Sequence, residues 1–115
     1  MIERLIDQDV LRASTALSTL RDRLHNAERG CEPGSSRHET VTAAMRRSLI
    51  LGHRLSILSN QLMCDGIEAA GRPAHLEGTY AIAVHAREHL HEDKQLLLAE
   101  VRTFIGEAST IAHSA

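Results

Sequence analysis

The sequence predicts an all-α fold, an elongated up-down-up three-helix bundle assembled as a helical homodimer, and three observations predict it. Apolar residues recur at alternating spacings of three and four along three long segments, the signature of helices with one buried face. Two clusters that combine glycine with proline, Gly30-Cys31-Glu32-Pro33-Gly34 and Gly71-Arg72-Pro73, separate those segments. The middle segment carries more apolar surface than two neighbouring helices readily cover. At 115 residues the chain is read as one α-helical domain, 1–115, with room for one core and too little length for a two-domain enzyme.

The first segment, about 2 to 29, places Ile6, Val10, Ala13, Leu17, Leu20, Leu24 and Ala27 on one heptad-like seam. Glu3, Asp7 and Asp9 suit the positive end of the helix dipole, and Arg21, Arg23 and Arg29 the negative end. The second opens with Ser36-Arg37-His38-Glu39, whose spacing predicts a capping box between Ser36 and Glu39, and stays helical in pattern from about 37 to 70. Gly52 and Gly66 inside it each cost about 1 kcal/mol relative to alanine and mark candidate bends. The third, about 74 to 112, runs Leu76, Tyr80, Ala83, Arg87, Leu90, Lys94, Leu97, Val101, Phe104, Ala108 and Ile111, with Arg87 and Lys94 interrupting the apolar seam and Gly78 a candidate late start. At 1.5 Å per residue these helices are rods of roughly 40 to 60 Å.

Composition narrows the function classes. The chain is 43% hydrophobic and 24% charged, ordinary for a soluble globular protein. It is only 2% aromatic: Tyr80 and Phe104 leave no aromatic cage, no base-stacking platform and no membrane-interface belt. Thirteen basic against fifteen acidic residues give a net charge of −2, without the basic surplus that duplex binding requires, so no nucleic-acid partner is expected. Lys94 is the only lysine, and the bias toward Arg, Ala and Leu fits GC-rich bacterial coding. No signal-peptide core and no transmembrane run occur, and two distant cysteines form no disulfide framework, so a reduced, cytoplasmic setting with no membrane contact is expected.

On a wheel of about 100° per residue, Leu51, Leu55, Leu58 and Leu62 form the stripe that a three-helix core needs. Ile50, Ile57 and Cys64 form a second stripe more than about 100° away, which Leu49, Met63 and Ile67 widen. These six residues are the candidate partner or dimer interface. Full burial of Leu49, Ile50, Ile57 and Met63 by another chain, at about 1.5–3 kcal/mol each, is worth roughly 6 to 12 kcal/mol per protomer before association costs. The alternative is that the first or third helix bends around the middle one and covers both stripes.

Eight histidines require that a metal or acid–base site be weighed. His85, Glu88, His89 and Glu92 stand at i, i+3, i+4 and i+7 on one helical face, and His85 to Glu88-His89 matches the H-x-x-E-H pattern of inverzincin proteases. Those enzymes surround zinc with far more chain, and this face lies opposite the Ala83, Leu90, Leu97, Val101 seam, whereas bundle metal sites project inward. A solvated polar face is therefore expected there, with a His/Glu metal site as the alternative. His25 and His53 flank apolar stripes. Cys31 reads as a surface thiol in a loop, and Cys64 as a small buried apolar residue. There is no G-x-S-x-G and no phosphate loop, so neither catalytic residues nor cofactors are assigned.

Ile6-Asp7, Leu20 and Arg21 resemble the first helix of the all-helical chorismate mutases, a family of short, three-helix, dimeric enzymes that clamp a dicarboxylate with cations. The chain departs from that pattern in having no lysine in the first helix and no cations repeated at matching positions. In organisation it also resembles small bacterial sequestering regulators, such as quorum-sensing antiactivators, and equally secretion chaperones, toxin-immunity proteins and phage-encoded inhibitors. The expectation is thus a non-enzymatic regulator that sequesters a protein partner through helical surfaces, for example by blocking a transcription factor's dimer interface.

Overall fold

Three helices, α1 (Gln8–Arg29), α2 (Ser36–Gly71) and α3 (Glu77–His113), make up the computed structural model. Backbone is described for residues 7–71 and 77–113, side chains for 7–63 and 89–113, and no strand occurs among the described residues. Ile6, at the head of the expected seam, lies outside them. The helices pack as an elongated bundle of 64 × 25 × 19 Å.

α1 begins where Asp7 turns extended and lets one carboxylate oxygen accept the backbone N–H groups of Asp9 and Val10, both at 3.0 Å. An N-cap of this kind satisfies donors that have no partner inside the helix. At the other end the Gly30 N–H donates to the Ala27 carbonyl, and the chain reverses through Gly34 at φ +81°, a left-handed conformation that glycine adopts without cost.

The cap of α2 sits one residue earlier than the sequence pattern indicates. Ser35, not Ser36, is the capping residue: its hydroxyl oxygen accepts the His38 N–H at 3.1 Å, and Ser36 is the first residue of the helix. The Glu39 N–H instead donates to the Ser35 carbonyl at 3.0 Å, an ordinary first turn. His38 thus occupies the position that Glu39 would need for a reciprocal box.

Beyond that point the heptad reading holds where side chains are described; Leu76, Tyr80, Ala83 and Arg87 of the expected third seam lie outside them. Val10, Leu17, Leu20, Leu24 and Ala27 of α1 meet Val41, Ala44, Leu51, Leu55 and Leu58 of α2 and Leu97, Val101 and Ala108 of α3 in one core, with Leu62 half-buried at its edge. Ser48 sits fully buried in the α2 stripe, tolerated because its hydroxyl donates to the Met45 carbonyl at 2.7 Å. Two contacts close the end of the bundle where α2 begins. Arg37 donates to the Ile111 carbonyl at 3.1 Å in the last turn of α3, and Arg23 of α1 bonds the His113 ring. α1 and α3 therefore run parallel, with α2 antiparallel to both.

Neither candidate bend interrupts α2, which runs through Gly52 and Gly66, and α3 is described from Glu77, beside the candidate late start at Gly78. Gly52 has a different use. A Cβ there would stand 2.8 Å from the Arg21 Nη2, so glycine lets an α1 guanidinium lie against the α2 backbone.

Candidate functional site

With the core complete, one face of α2 remains uncovered. Leu49, Ile50 and Ile57 stay 54%, 57% and 46% exposed, so neither neighbour bends around to cover them. Met63 is half-buried, while Cys64 and Ile67 lie outside the described side chains. On the helix wheel Ile50 and Ile57 share their line with Arg46 and His53, opposite the buried Leu51, Leu55 and Leu58. The apolar surface continues onto α3, where Leu96 is 71% exposed and lines with Ile57 a groove of about 320 Å³ that also includes Arg54, Gln61 and Asp93.

The charges on this face are of one sign. From Thr40 to Cys64 the chain contains no aspartate or glutamate, against Arg46, Arg47 and Arg54. Arg47 and Arg54 share one carboxylate of α3, Glu100, at 2.7 and 3.0 Å, and both pairs are solvent-exposed and individually weak. On the other flank, Arg21 of α1 lies over Gly52 in a groove of about 280 Å³ with Ser14, Ser18, Leu49, His53 and Ser56. No acidic residue lines that groove. Its Nη2 reaches the Ser48 carbonyl only at 3.5 Å, and its Nε is buried with no hydrogen-bond partner. Among the described residues the Arg21 guanidinium thus has five donors, one long bond and no ion pair.

The histidine face of α3 is less organised. His89 and Glu92 are both exposed, with Nδ1 and Oε2 3.5 Å apart, and His85 and Glu88 lie outside the described side chains. Among the described residues no group of three or more His, Cys, Asp and Glu is placed to hold a metal ion. Cys31 departs from the expected surface thiol: it is half-buried against the core, and its thiol donates to the Ala27 carbonyl at 3.1 Å. His25 and His53 are exposed.

One ionic cluster escaped the sequence reading. Lys94, the cation that interrupts the α3 seam, is buried, and its ammonium donates to Asp7 at 2.7 Å and Asp9 at 3.2 Å. The hydrogen bond to Asp7 raises the Lys94 pKa, opposed by burial and aided by Asp9. Burial works to raise the Asp7 pKa. The Lys94 bond and charge, with the Val10 and Asp9 N–H groups, outweigh it and hold the carboxyl below its usual range. The cluster fastens the start of α1 to α3, and Asp9, the more exposed carboxylate, also pairs with Arg12 at 3.1 Å. The partners of Lys94 stand 85 and 87 positions away, beyond any local pattern.

Two larger grooves mix apolar and charged linings. That between α1 and α3, about 610 Å³, runs over Ala13, Ala16, Leu98 and Ile105; that between α2 and α3, about 800 Å³, over Ala43, Ala44, Phe104 and Ala108. The titratable residues of these linings are Asp9, Arg12 and Arg102 in the first and Arg47, Glu100 and Glu107 in the second, and Asp9 and Glu100 are already engaged in ion pairs. No family model, curated protein or solved structure matches this chain. Its function must therefore be argued from its own surface.

Proposed function

We propose that the protein is a non-enzymatic helical regulator that sequesters a protein partner, and that it does so through the outward face of α2. The observation that carries this reading is the uncovered row of Leu49, Ile50 and Ile57 on a helix whose opposite face already fills the core. Exposed apolar residues grouped this way on a small protein mark contact surfaces, and a helix that presents them suits groove or helix-to-helix recognition.

Partial burial scales the energetics down from full transfer. Because each of the three residues is already about half covered, removing the remainder from water contributes about 1 kcal/mol apiece, or about 3 kcal/mol together. Association costs of at least about 4 kcal/mol exceed that, so the face must gain polar contacts or further apolar area from its partner. Self-association, the other use of this face, would bring Arg46 and His53 of both copies into one interface to which α2 contributes no carboxylate between Thr40 and Cys64. We therefore favour a different protein over a second copy. A cytoplasmic setting fits the free thiol of Cys31, and among the described residues no helix is long and apolar enough to cross a membrane.

Affinity capture from the native cell with the wild-type chain and with Ile57→Glu, read by quantitative mass spectrometry, tests the reading. A protein retained by the wild type should fall by at least about tenfold with the variant, which is about 1.4 kcal/mol, while far-UV circular dichroism stays unchanged. Recovery of no macromolecule, of a small ligand alone, or of the same protein at equal yield with both chains would refute it.

A further inference from the structure

The charge pattern on the α2 face specifies the chemistry of the partner, and this inference rests on the regulator reading above. We propose that the face docks an acidic amphipathic helix. Its apolar side chains would cover Leu49, Ile50 and Ile57, and its carboxylates would sit on Arg46 and in the groove where Arg21 lies.

Two independent features point to carboxylates. α2 holds no acidic residue between Thr40 and Cys64, so nothing on the helix neutralises Arg46, which is exposed. Arg21 has a different cause for its availability: Gly52 seats the guanidinium against α2, its only side-chain bond among the described residues is the 3.5 Å contact to the Ser48 carbonyl, and its Nε is buried without a partner there. The groove around it offers the hydroxyls of Ser14, Ser18 and Ser56 and no competing acid. A carboxylate entering there would meet the Nη groups of Arg21, charge-assisted donors that suit an oxyanion.

The spacing suits a helix. Arg46, Ile50, His53 and Ile57 follow steps of four, three and four along about 16 Å of α2, three turns that an antiparallel or crossing helix matches with anchors at i, i+3 or i+4, and i+7. Nucleic acid fits less well. Duplex binders neutralise about 6 to 10 phosphates, whereas this face offers two arginines without a carboxylate and an aliphatic row of no use to a phosphate backbone. Asp93, on the α3 side of the Ile57 groove, keeps the acidic side of the ligand toward Arg46 and Arg21 and away from α3.

The test titrates the full chain with four probes. Two are helical peptides of about 20 residues with leucine on one face, one flanked by glutamates and one by lysines in their place. The others are vesicles of phosphatidylcholine with and without phosphatidylserine. The glutamate peptide should bind, should weaken about tenfold as salt rises from about 50 to about 300 mM, and should lose at least about tenfold with the charge-reversed double variant Arg21→Glu, Arg46→Glu. Circular dichroism confirms that the variant is folded, and Arg21→Lys with Arg46→Lys, which keeps the charge, should restore the binding in part. Equal binding of the lysine peptide, absence of binding by the glutamate peptide, or charge-dependent capture by phosphatidylserine vesicles in its stead would overturn the proposal. If the cellular partner is lost with Ile57→Glu yet indifferent to the arginine reversal, the regulator reading stands and this inference alone falls.

Discussion

Removing the charge of Lys94 measures how firmly the start of α1 is fastened, and the structure allows the cost to be worked out. In Lys94→Met the stem still packs in the α3 seam while two charge-assisted hydrogen bonds disappear. The bond to Asp7 joins side chains only 8% and 18% exposed and is worth about 1.5–3 kcal/mol; that to Asp9, which is 55% exposed, adds at most about 0.5 kcal/mol. The expected loss is about 2 kcal/mol, or a fall of about 8 °C in Tm at this chain length. Asp7→Asn removes the charge but keeps an oxygen that caps α1, so it should cost somewhat less, and the double variant should cost less than the sum by about 1 kcal/mol or more.

The dependence on pH follows from the directions of the two shifts. Asp7 has its pKa lowered from 3.8 on folding, so its contribution is present above that value and is lost as pH falls through the lower folded pKa. Lys94 has its pKa raised from 10.5, so its contribution is full below that value and is lost as pH rises through the higher folded pKa. Urea melts followed by circular dichroism should thus show a flat contribution between about pH 4 and 10, with both flanking losses smaller in Lys94→Met. A coupling energy within about 0.3 kcal/mol of zero, or an unchanged acid limb, would refute the reasoning.

The cap of α2 gives a paired prediction: Ser35→Ala should cost about 1 kcal/mol in thermal melts, whereas Ser36→Ala, at the first helical position, should stay within about 0.5 kcal/mol of the wild type. Gly52→Ala gains about 1 kcal/mol of helix propensity but pushes the Arg21 guanidinium off α2, so it should stabilise the chain more in an Arg21→Ala background than in the wild type, by a margin read in the same melts.

Much of the architecture was legible because it rests on local periodicity. Leu17, Leu20 and Leu24, or Leu51, Leu55 and Leu58, point inward for the same reason that their spacing can be read in one dimension. The surplus apolar face of α2 was legible on the same ground, since Ile50 and Ile57 fall opposite the core stripe on any regular helix. What stayed hidden involves partners that spacing does not encode. Ser35 and Ser36 differ by one residue, and the Ser-x-x-Glu pattern favours the wrong one; which hydroxyl caps depends on the turn at Gly34. Lys94 interrupts a seam until Asp7 and Asp9, from the opposite end of the sequence, account for it. Gly52 reads as a bend until an arginine from α1 is seen to occupy the space of its missing side chain.

The same distinction between whole-chain and local quantities governs the partner. A net charge of −2 argues against an anionic partner only if the charges are evenly spread, and the fold spreads them unevenly. Asp9 is taken up by Arg12 and Lys94, Asp7 by Lys94, and Glu100 by two arginines at once. Those pairings spend carboxylates in the seams between helices and leave the outward face of α2, free of acids from Thr40 to Cys64, locally cationic on an acidic protein. Over a Debye length of about 8 Å at physiological salt, a docking helix senses that face and not the total. That local field is what favours the acidic helix we propose as ligand, and the aliphatic row beside the arginines is what would hold it once there.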